Sequence, residues 1–349
     1  MEVLFAPSIP WATDVSSFEK GSGPDPFAVY RALEGHGISS RVLNPNRRPW
    51  NPLYGKDTLL QSIDPLRALN ICTRHRDVDV VVSVFEGAAT SLATLRAAFG
   101  LKAAIALWDL GLTDWRLRNA LLNYTLPRIE STYVLGTNQI DYIRNTYAHR
   151  RDATFIGHHV DCGFFAPSAG PPTEEFVLSV GDDLGRDFPI LLKAMDGVEH
   201  PLLLKTRKTL PETPVGAKVI RERISYVDLR SLYLRSTIVV IPTVVTPNAS
   251  GVSTLLEAAA CGRPMVVSDN PGLRDYLVPE ENCLVTPPGD ATAMNAAIAR
   301  LLGDPALRKR LGANARTFAK EHCASEVFAS RLARELFRTR DLRRSAKAA

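Results

Sequence analysis

The chain has 349 residues, of which 45% are hydrophobic and 23% charged, and its formal net charge is +5. This length suggests about two globular domains, and the composition excludes a chain biased towards disorder. No stretch approaches the ~20 apolar residues of a membrane-spanning helix, and no basic region followed by an apolar core opens the chain. The five cysteines are scattered and lack CxxC spacing, which favours reduced thiols over disulfides or a zinc site. We therefore expect a cytoplasmic protein.

The basic excess is concentrated at the C-terminus, where residues 338–349 contain five basic side chains and one acidic side chain. Such a tail could contact an anionic membrane at its inner face, where each basic residue contributes ~1 kcal/mol. The alternative is a solvated and partly disordered end, which is the usual state of charged termini. We expect no nucleic-acid partner.

In the first half, apolar runs of strand length alternate with stretches of helical periodicity. This alternation predicts a doubly wound parallel sheet, in the α/β class. The predicted strands cover residues 2–6, 40–43, 78–84, 102–107, 131–135 and 154–156. The predicted helices cover residues 26–35, 64–75, 88–99 and 116–129, with a short helix that ends at residue 147.

A run of small residues and paired prolines at 168–173 predicts a linker, after which a second alternation begins. Its predicted strands are 176–180, 201–205, 217–220, 238–241 and one that starts at residue 265. Its predicted helices are 188–195, 228–235, 291–302, 305–321 and 325–337, with one more before a Gly-Arg-Pro stop at 262–264. We expect domains at 1–165 and 166–324, followed by a C-terminal helix and basic tail at 325–349.

The segment after the strand at 238–241 predicts an anion site. A polar loop at 248–251 leads into a helix whose first turn holds Ser253 and Thr254, and Glu257 lies on the same face one turn later. Helix N-termini leave N–H groups unpaired and carry partial positive charge, so the phosphates of a nucleotide fit there and Glu257 could accept hydrogen bonds from ribose. The alternative is a capping box, in which Thr254 and Glu257 satisfy backbone donors and bind nothing.

The segment 241–290 resembles the donor-binding half of retaining family-4 glycosyltransferases, in a subset with an Asn-Ala-Ser-Gly loop. The matching elements, in order, are Pro242-Thr243, Ser250-Gly251, Glu257-Ala-Ala-Ala-Cys-Gly262-Arg-Pro264, Ser268-Asp269, Gly272-Leu-Arg-Asp275-Tyr276 and Pro287-Pro-Gly-Asp290. The resemblance implies a GT-B fold, with two Rossmann-like doubly wound parallel-sheet domains facing a cleft. It places the acceptor on the first domain and the donor on the second, and packs the last helix back onto the first domain.

The resemblance also implies an activity. A hexosyl group would move from a UDP- or GDP-sugar, with retention and without an essential metal, to a hydroxyl of a glycan, lipid or small-molecule acceptor. The nucleotide diphosphate sugar would be a co-substrate, and no further cofactor is implied.

The resemblance also implies a donor site, in which cations would hold the diphosphate. Arg186 would stabilise the leaving diphosphate as a catalytic group, and an ion pair with Asp183 or Asp187 is its alternative role. Lys205 could supply a second cation, unless it belongs to a solvated basic loop with Arg207 and Lys208. The remaining donor-binding candidates are Gly23, Asn248, Ser250, Gly251, Val252, Ser253, Thr254 and Glu257.

On the first domain, the resemblance gives candidates that would face the acceptor. Asp109 could bond an acceptor hydroxyl as a catalytic residue, with helix capping as its alternative. Glu86 and Trp108 follow or end predicted strands. Gly21 lies in a Gly-rich loop that would approach acceptor and diphosphate, or would be an ordinary flexible loop.

Several positions depart from the family pattern. Ala249 stands where the family has a glutamate near the transferred sugar, Asp182 where it has a first cation, and Trp108 where many relatives have a histidine. A carboxylate at position 182 would repel the phosphates unless it turns away. These departures leave two alternatives open, a non-catalytic nucleotide-sugar binding protein and a GT-B sugar-nucleotide epimerase.

The segment around Val160-Asp161 resembles the interdomain signature of the same family. His158, His159, Asp161 and Cys162 include metal-ligand types. Adjacent side chains of an extended segment point to opposite faces, however, so we do not expect a metal site there.

Overall fold

A computed structural model describes residues 1–8, 23–45, 63–108, 116–147, 153–168, 175–210 and 217–348. They form two compact units. The first contains the start of the chain, Pro26–Gly157 and Phe328–Ala349, and the second contains residues 23–25 and His158–Val327. The boundaries at 157/158 and 327/328 thus differ from the expected 165/166 and 324/325, and residues 23–25 belong to the second unit rather than the first. The segment after Gly157 belongs to the second unit because the Val160 amide donates to the Cys323 carbonyl at 2.9 Å.

The first unit is built on a six-stranded sheet whose described pairings are all parallel, in the order β2-β1-β3-β4-β5-β6. Its strands are β1 (Glu2–Pro7), β2 (Ser39–Val42), β3 (Val80–Val84), β4 (Ala104–Trp108), β5 (Ser131–Val134) and β6 (Ala153–Phe155). The central strands β3 and β4 are buried along their whole length. This is why they read as continuous apolar runs rather than as alternating patterns.

Helices flank this sheet: α1 (Ala28–Glu34), α2 (Pro65–Arg74), α3 (Glu86–Phe99), α4 (Arg116–Thr125) and α5 (Asn138–Thr146). Asp64 caps α2 by accepting from the Arg67 amide, and α3 ends at Gly100 in the left-handed conformation. The helix predicted to reach residue 129 instead ends at Thr125 and continues as a 3-10 turn, Leu126–Arg128. Pro127 explains this change, because proline interrupts the α-helical hydrogen-bond pattern.

The second unit contains another six-stranded sheet with parallel described pairings, in the order β12-β11-β10-β7-β8-β9. Its strands are β7 (Val177–Val180), β8 (Leu202–Lys205), β9 (Lys218–Ile220), β10 (Ile238–Ile241), β11 (Met265–Ser268) and β12 (Leu284–Thr286). Strand β12 was not predicted. Most of the predicted linker, residues 169–173, lies outside the described residues.

The helices of the second unit are α6 (Phe188–Ala194), α7 (Tyr226–Arg235), α8 (Val252–Ala260), α9 (Ala291–Gly303) and α10 (Pro305–His322). Side-chain oxygens cap four of them, those of Asp187, Ser225, Asp290 and Asp304. Helix α8 differs, because its N-cap is Gly251 and no side chain caps it.

The last helix, α11 (Ser325–Ala348), is longer than the predicted 325–337. From Phe328 onwards it belongs to the first unit, where the Tyr133 hydroxyl donates to the Glu335 carbonyl at 3.1 Å. Its basic end is ordered rather than a disordered tail. Arg343 lies 3.6 Å from Glu130, and Arg344 lies 3.3 Å from Asp79. These ion pairs hold the polar end of the helix against the unit.

Two further expectations concern membrane-spanning helices and disulfide bonds. Within the described residues, no helix combines the length and apolar character needed to cross a bilayer. All five cysteines are free thiols, and four of them are buried.

Candidate functional site

The first turn of α8 presents unpaired amides. Gly251 adopts a left-handed conformation, φ +91°, and a Cβ at this position would lie 2.8 Å from a methyl carbon of Ile241. The amide of Leu255 donates to the Gly251 carbonyl, but those of Ser253 and Thr254 form no hydrogen bond with any described residue. The capping-box alternative is therefore wrong, and this end of α8 can receive an anion.

Arg186 contacts the same turn from inside the unit. Its side chain is 1% exposed, its Nε donates to Asp183 Oδ2 at 2.8 Å, and its Nη2 donates to Thr254 Oγ1 at 2.7 Å. Its Nη1 is buried and has no partner among the described residues. A Cβ on Gly251 would lie 3.2 Å from Nη1, so this unpaired group borders the unpaired amides. A buried N–H without an acceptor is costly, and a phosphate oxygen would satisfy it.

The ion pair with Asp183 was the alternative role for Arg186, and it is present. It is not the simple surface pair that we considered, because Asp183 is 41% exposed whereas Arg186 is buried. Asp183 also accepts a hydrogen bond from the Ser250 hydroxyl, which joins the 183–186 loop to the loop before α8. Asp187 instead caps α6. Asp183 therefore orients Arg186 and leaves Nη1 unpaired.

Asp182, which replaces the first cation of the family pattern, turns towards Arg207. It accepts hydrogen bonds from the Arg207 amide at 2.6 Å and from Arg207 Nε at 2.7 Å. Burial alone would raise the pKa of Asp182, but these bonds lower it below its usual value. The carboxylate is thus ionised and its charge is neutralised by Arg207, which reduces its repulsion of a nearby phosphate.

We expect replacement of Arg207 by Ala to weaken donor binding about five- to tenfold, because the released Asp182 carboxylate would repel the diphosphate at short range. The double change Asp182→Ala with Arg207→Ala should restore the affinity. Titration calorimetry with UDP checks both variants. Equal weakening in the single and the double variant would show that Arg207 acts on the nucleotide directly and not through Asp182.

The basic residues at the end of β8 have different surroundings, because Arg207 is exposed whereas Lys205 is buried. Lys208 Nζ donates to the backbone carbonyls of Asp183, Leu184 and Arg186, at 3.2, 3.4 and 3.0 Å, and so fixes the loop that carries Arg186. Lys205 is 8% exposed, and its ammonium forms no hydrogen bond or ion pair with a described residue, although its charge also helps to lower the pKa of Asp182. Its amine is therefore available for an anionic ligand.

Glu257 lies one turn further along α8. The Tyr233 hydroxyl donates to Glu257 Oε2 at 2.7 Å, whereas Oε1 is neither buried nor bonded to a described residue. Glu257 keeps partial exposure, yet burial raises its pKa to about 7, against the lowering effects of the Tyr233 hydrogen bond and the Arg186 charge. A carboxylate with one free oxygen can accept a hydrogen bond from a sugar hydroxyl.

The loop before α8 packs against the turn that contains Gly272. A Cβ on Gly272 would lie 2.2 Å from the carbonyl oxygen of Asn248, which accepts from the Ser250 amide at 2.8 Å. The structure therefore fixes the backbone of Asn248. The role predicted for its side chain, bonding to a sugar hydroxyl, stays a prediction.

Replacement of Gly272 by Ala should destabilise the protein by about 1–3 kcal/mol, because the new methyl group would overlap the Asn248 backbone. The displaced loop should also weaken UDP binding. Gly303→Ala is the matched control, since a Cβ at Gly303 meets no heavy atom within 4 Å. Chemical denaturation of both variants checks the prediction, and equal stability of the two would contradict it.

The Val160-Asp161 segment has a structural role in the second unit. Asp161 Oδ1 accepts from the amides of Gly163 and Phe164, at 2.8 and 2.9 Å, and its Oδ2 accepts from the Asp25 amide at 2.8 Å. This last bond holds the end of the Gly-rich loop, where Gly23 is buried. The structure thus gives the Gly23 region a fixed place in the second unit.

The two adjacent histidines do not form a metal site with Asp161 and Cys162. His158 Nε2 lies 3.1 Å from the Ser253 hydroxyl, and His159 Nδ1 lies 3.3 Å from the Ser325 hydroxyl. Burial lowers the pKa of His158 to about 4 and that of His159 to about 3. No group of three potential metal ligands occurs within the described ranges.

The structure describes two of the four residues predicted to face the acceptor. Glu86 is buried and accepts from Arg118 Nη2 with both carboxylate oxygens, at 2.8 and 2.7 Å. Both oxygens of Glu86 are thus engaged by a cation, as a buried carboxylate requires, and its contact with an acceptor stays a prediction. Trp108 is 9% exposed and packs on Phe328, with 5.3 Å between ring centroids. Asp109 and Gly21 lie outside the described residues.

The site includes one residue that was not predicted, Tyr233, which fixes one oxygen of Glu257. Thr254 was predicted at the helix end, and its contact with Arg186 was not. Nothing in the sequence pairs Tyr233 with Glu257, because the two lie on different helices and their relative rotation decides the contact. For Asp182 and Arg207 a signal exists. Each lies two residues beyond a strand end, and Val180 and Lys205 are register partners.

Part of the second unit matches a known protein family. Residues 219–318 match the family described as Glycosyl transferases group 1, and this match includes all of α8 and Glu257. The chain resembles sucrose-phosphate synthase from Thermosynechococcus elongatus with a TM-score of 0.74 at 20% identity, over 97% of this chain and 99% of the synthase. The fold is GT-B.

Other solved GT-B structures are similar. HepE from Anabaena, in complex with UDP, gives a TM-score of 0.67 at 14% identity, over 96% of this chain and 99% of HepE. A glycosyltransferase from Rickettsia africae gives 0.68 at 14% identity, over 96% and 98%. No curated protein sequence matches significantly. The GT-B fold and the group 1 match together support a glycosyltransferase.

Proposed function

We propose that this protein is a retaining glycosyltransferase of the family-4 type, which moves a hexosyl group from a UDP- or GDP-sugar to an acceptor hydroxyl. The acceptor would be a glycan, a lipid or a small molecule. The observation that carries this proposal is the unpaired Nη1 of buried Arg186 beside the unpaired amides of Ser253 and Thr254. These three donors, with the Lys205 ammonium as a fourth, match the several acceptor oxygens of a diphosphate.

Different residues of the site would bind the diphosphate, the ribose and the transferred sugar of the donor. The diphosphate would accept hydrogen bonds from the first turn of α8 and from Arg186, with Lys205 as a second cation. Glu257 Oε1 would accept a hydrogen bond from a ribose hydroxyl, while Tyr233 holds Oε2. Ser250 and Asn248 would stand towards the transferred sugar, and at this end Ala249 offers no side-chain group beyond a methyl.

The chemistry follows from stabilisation of the departing diphosphate. As the glycosidic C–O bond breaks, negative charge grows on the phosphate oxygens, and Arg186 and the helix amides stabilise it. The departing phosphate can then take the proton of the acceptor hydroxyl that attacks from the same face. The protein orients both substrates, and no strong protein base is needed.

We propose that fixed protein donors perform the charge stabilisation that a divalent cation provides elsewhere. Transfer measured after removal of divalent ions with EDTA should therefore equal transfer in added Mg²⁺. An activity that disappears with EDTA and returns with Mg²⁺ would contradict this part of the proposal.

A panel of nucleotide sugars tests the activity itself. Slow release of UDP or GDP from one member of the panel, abolished by Glu257→Ala, is the expected result. The binding-protein alternative, which Ala249 favours, predicts tight binding and no release with any acceptor. An epimerase would form a new nucleotide sugar without releasing diphosphate.

Peripheral membrane contact through α11 remains part of the proposal and is tested separately. Arg343 and Arg344 are already engaged with Glu130 and Asp79, so the available charge is smaller than the sequence suggests. Sedimentation with phosphatidylserine vesicles, compared with neutral vesicles, measures the association. Equal recovery with both vesicle types would exclude the contact.

A further inference from the structure

The first unit contains a cleft of about 310 Å³ that no residue of the proposed donor site lines. Leu43 and Asn44, which follow β2, border it on one side. Side chains of α2 border it on the other, among them Arg67, Asn70 and Arg74. We call this feature the Arg67 cleft.

Arg67 is held at the carboxyl ends of two strands. Its side chain is 2% exposed, its Nε lies 2.9 Å from Asp64 Oδ2, and its Nη1 donates to the carbonyl of Pro7 and, at 3.4 Å, to that of Leu43. These carbonyls mark the end of β1 and the residue after β2. The carboxyl edge of a parallel sheet is where α/β proteins bind their ligands.

The guanidinium retains a donor for which the described residues offer no acceptor. Arg67 Nη2 is buried and unpaired, although Nη1 is used twice. Asn70, on the next turn of α2, has a buried Oδ1 that is also without a partner. An unpaired donor and an unpaired acceptor beside one cleft are both costly unless a ligand or water satisfies them.

Arg74 supplies net positive charge to the same cleft. It lies seven residues after Arg67, on the same face of α2, and it is exposed. No described residue forms a hydrogen bond or an ion pair with it. Because Asp64 balances the charge of Arg67, the excess charge at the cleft is that of Arg74.

We propose that the Arg67 cleft is a binding site for a phosphate group, as inorganic phosphate or as a phosphate monoester. The phosphate oxygens would accept from Arg67 Nη2 and from the Arg74 guanidinium, which are strong, charge-assisted donors. Asn70 Oδ1 would accept from a hydroxyl of the phosphate or of the group it esterifies. This site is separate from the proposed donor site and does not depend on it.

The test is a calorimetric titration of the full chain with inorganic phosphate at low ionic strength, repeated with the Arg186→Ala variant. This variant impairs the proposed donor site and leaves the cleft unchanged, so phosphate binding that persists in it belongs elsewhere. Arg74→Glu should raise the dissociation constant at least about tenfold, since a charge-assisted contact is lost and a repulsion is added. Arg67→Lys, which retains the charge but not the second donor arm, should also weaken binding.

Arg76→Glu is the matched control, because Arg76 is exposed, carries the same charge and does not line the cleft. It should bind phosphate as the original protein does. Thermal unfolding shows whether Arg67→Lys is folded. If this variant does not fold, Arg74→Glu still tests the proposal, because Arg74 is exposed and its replacement does not disturb the core. Loss of all phosphate binding in folded Arg186→Ala, an unchanged affinity in Arg74→Glu, or tighter binding of acetate than of phosphate would each overturn the proposal.

Discussion

Replacement of Arg186 by Ala is expected to lower transfer by about 10²–10³-fold in kcat, because the variant lacks a preorganised donor to the departing diphosphate. The loss should be larger in kcat than in donor affinity, since the charge on the phosphate oxygens grows as the bond breaks. Initial rates over a range of donor concentrations separate the two effects.

Arg186→Ala also removes the partner of Asp183 and Thr254, so stability must be measured alongside activity. Arg186→Lys keeps the positive charge, and its single ammonium cannot replace all three guanidinium nitrogens. We expect it to fold and to remain at least about tenfold slower, because a point charge replaces a multidentate donor. Arg223→Ala, at an exposed position on the same unit, is the control. Full activity in a folded Arg186→Ala variant would refute the role assigned to Arg186.

Replacement of Glu257 by Gln should have opposite effects on stability and on donor binding. Burial raises the pKa of Glu257 from 4.5 to about 7, so the folded protein binds a proton that the unfolded chain has released between these values. Stability from this group is complete below pH 4.5 and is lost as the pH rises through about 7. At pH 8 the Gln variant should therefore be more stable than the original protein by up to about 3 kcal/mol.

The same substitution should weaken UDP binding about tenfold or more at pH 8, because a neutral amide accepts more weakly than a carboxylate from ribose hydroxyls. In the original protein, affinity should fall as the pH drops below about 7 and Glu257 becomes protonated. Denaturation and calorimetry at several pH values check both effects. Glu281→Gln, at an exposed side chain, should change neither. A Gln variant that binds UDP normally at pH 8 would contradict the ribose role of Glu257.

The sequence predicted the architecture well because each sheet is parallel and buried. Strands such as Ile238–Ile241 then read as uninterrupted apolar runs, and glycine or proline marks the ends of the helices between them. The short strand Leu284–Thr286 and the ordered end of α11 were missed. The charged end of α11 is held by ion pairs that a hydrophobic pattern does not contain.

The site was predicted in part, and the reason lies in where its contacts come from. The anion-binding turn and Glu257 belong to one helix, so their spacing defines their arrangement. The contacts of Glu86 and Tyr233 join distant segments, and each depends on side-chain directions that spacing does not specify. Asp182 turns to Arg207, and Glu86 is neutralised by Arg118. From the residue types alone, Asp182 is expected to repel the diphosphate and Glu86 to be available for an acceptor.

A crystal structure with bound UDP is the most direct test of the donor site. The diphosphate should lie at the first turn of α8, within hydrogen-bonding distance of the Ser253 and Thr254 amides and of Arg186 Nη1. The ribose should lie at Glu257 Oε1, with the Tyr233 hydrogen bond to Oε2 retained. A diphosphate bound elsewhere, with Arg186 Nη1 still unpaired and Glu257 not in contact with the ribose, would contradict the assignment of this site.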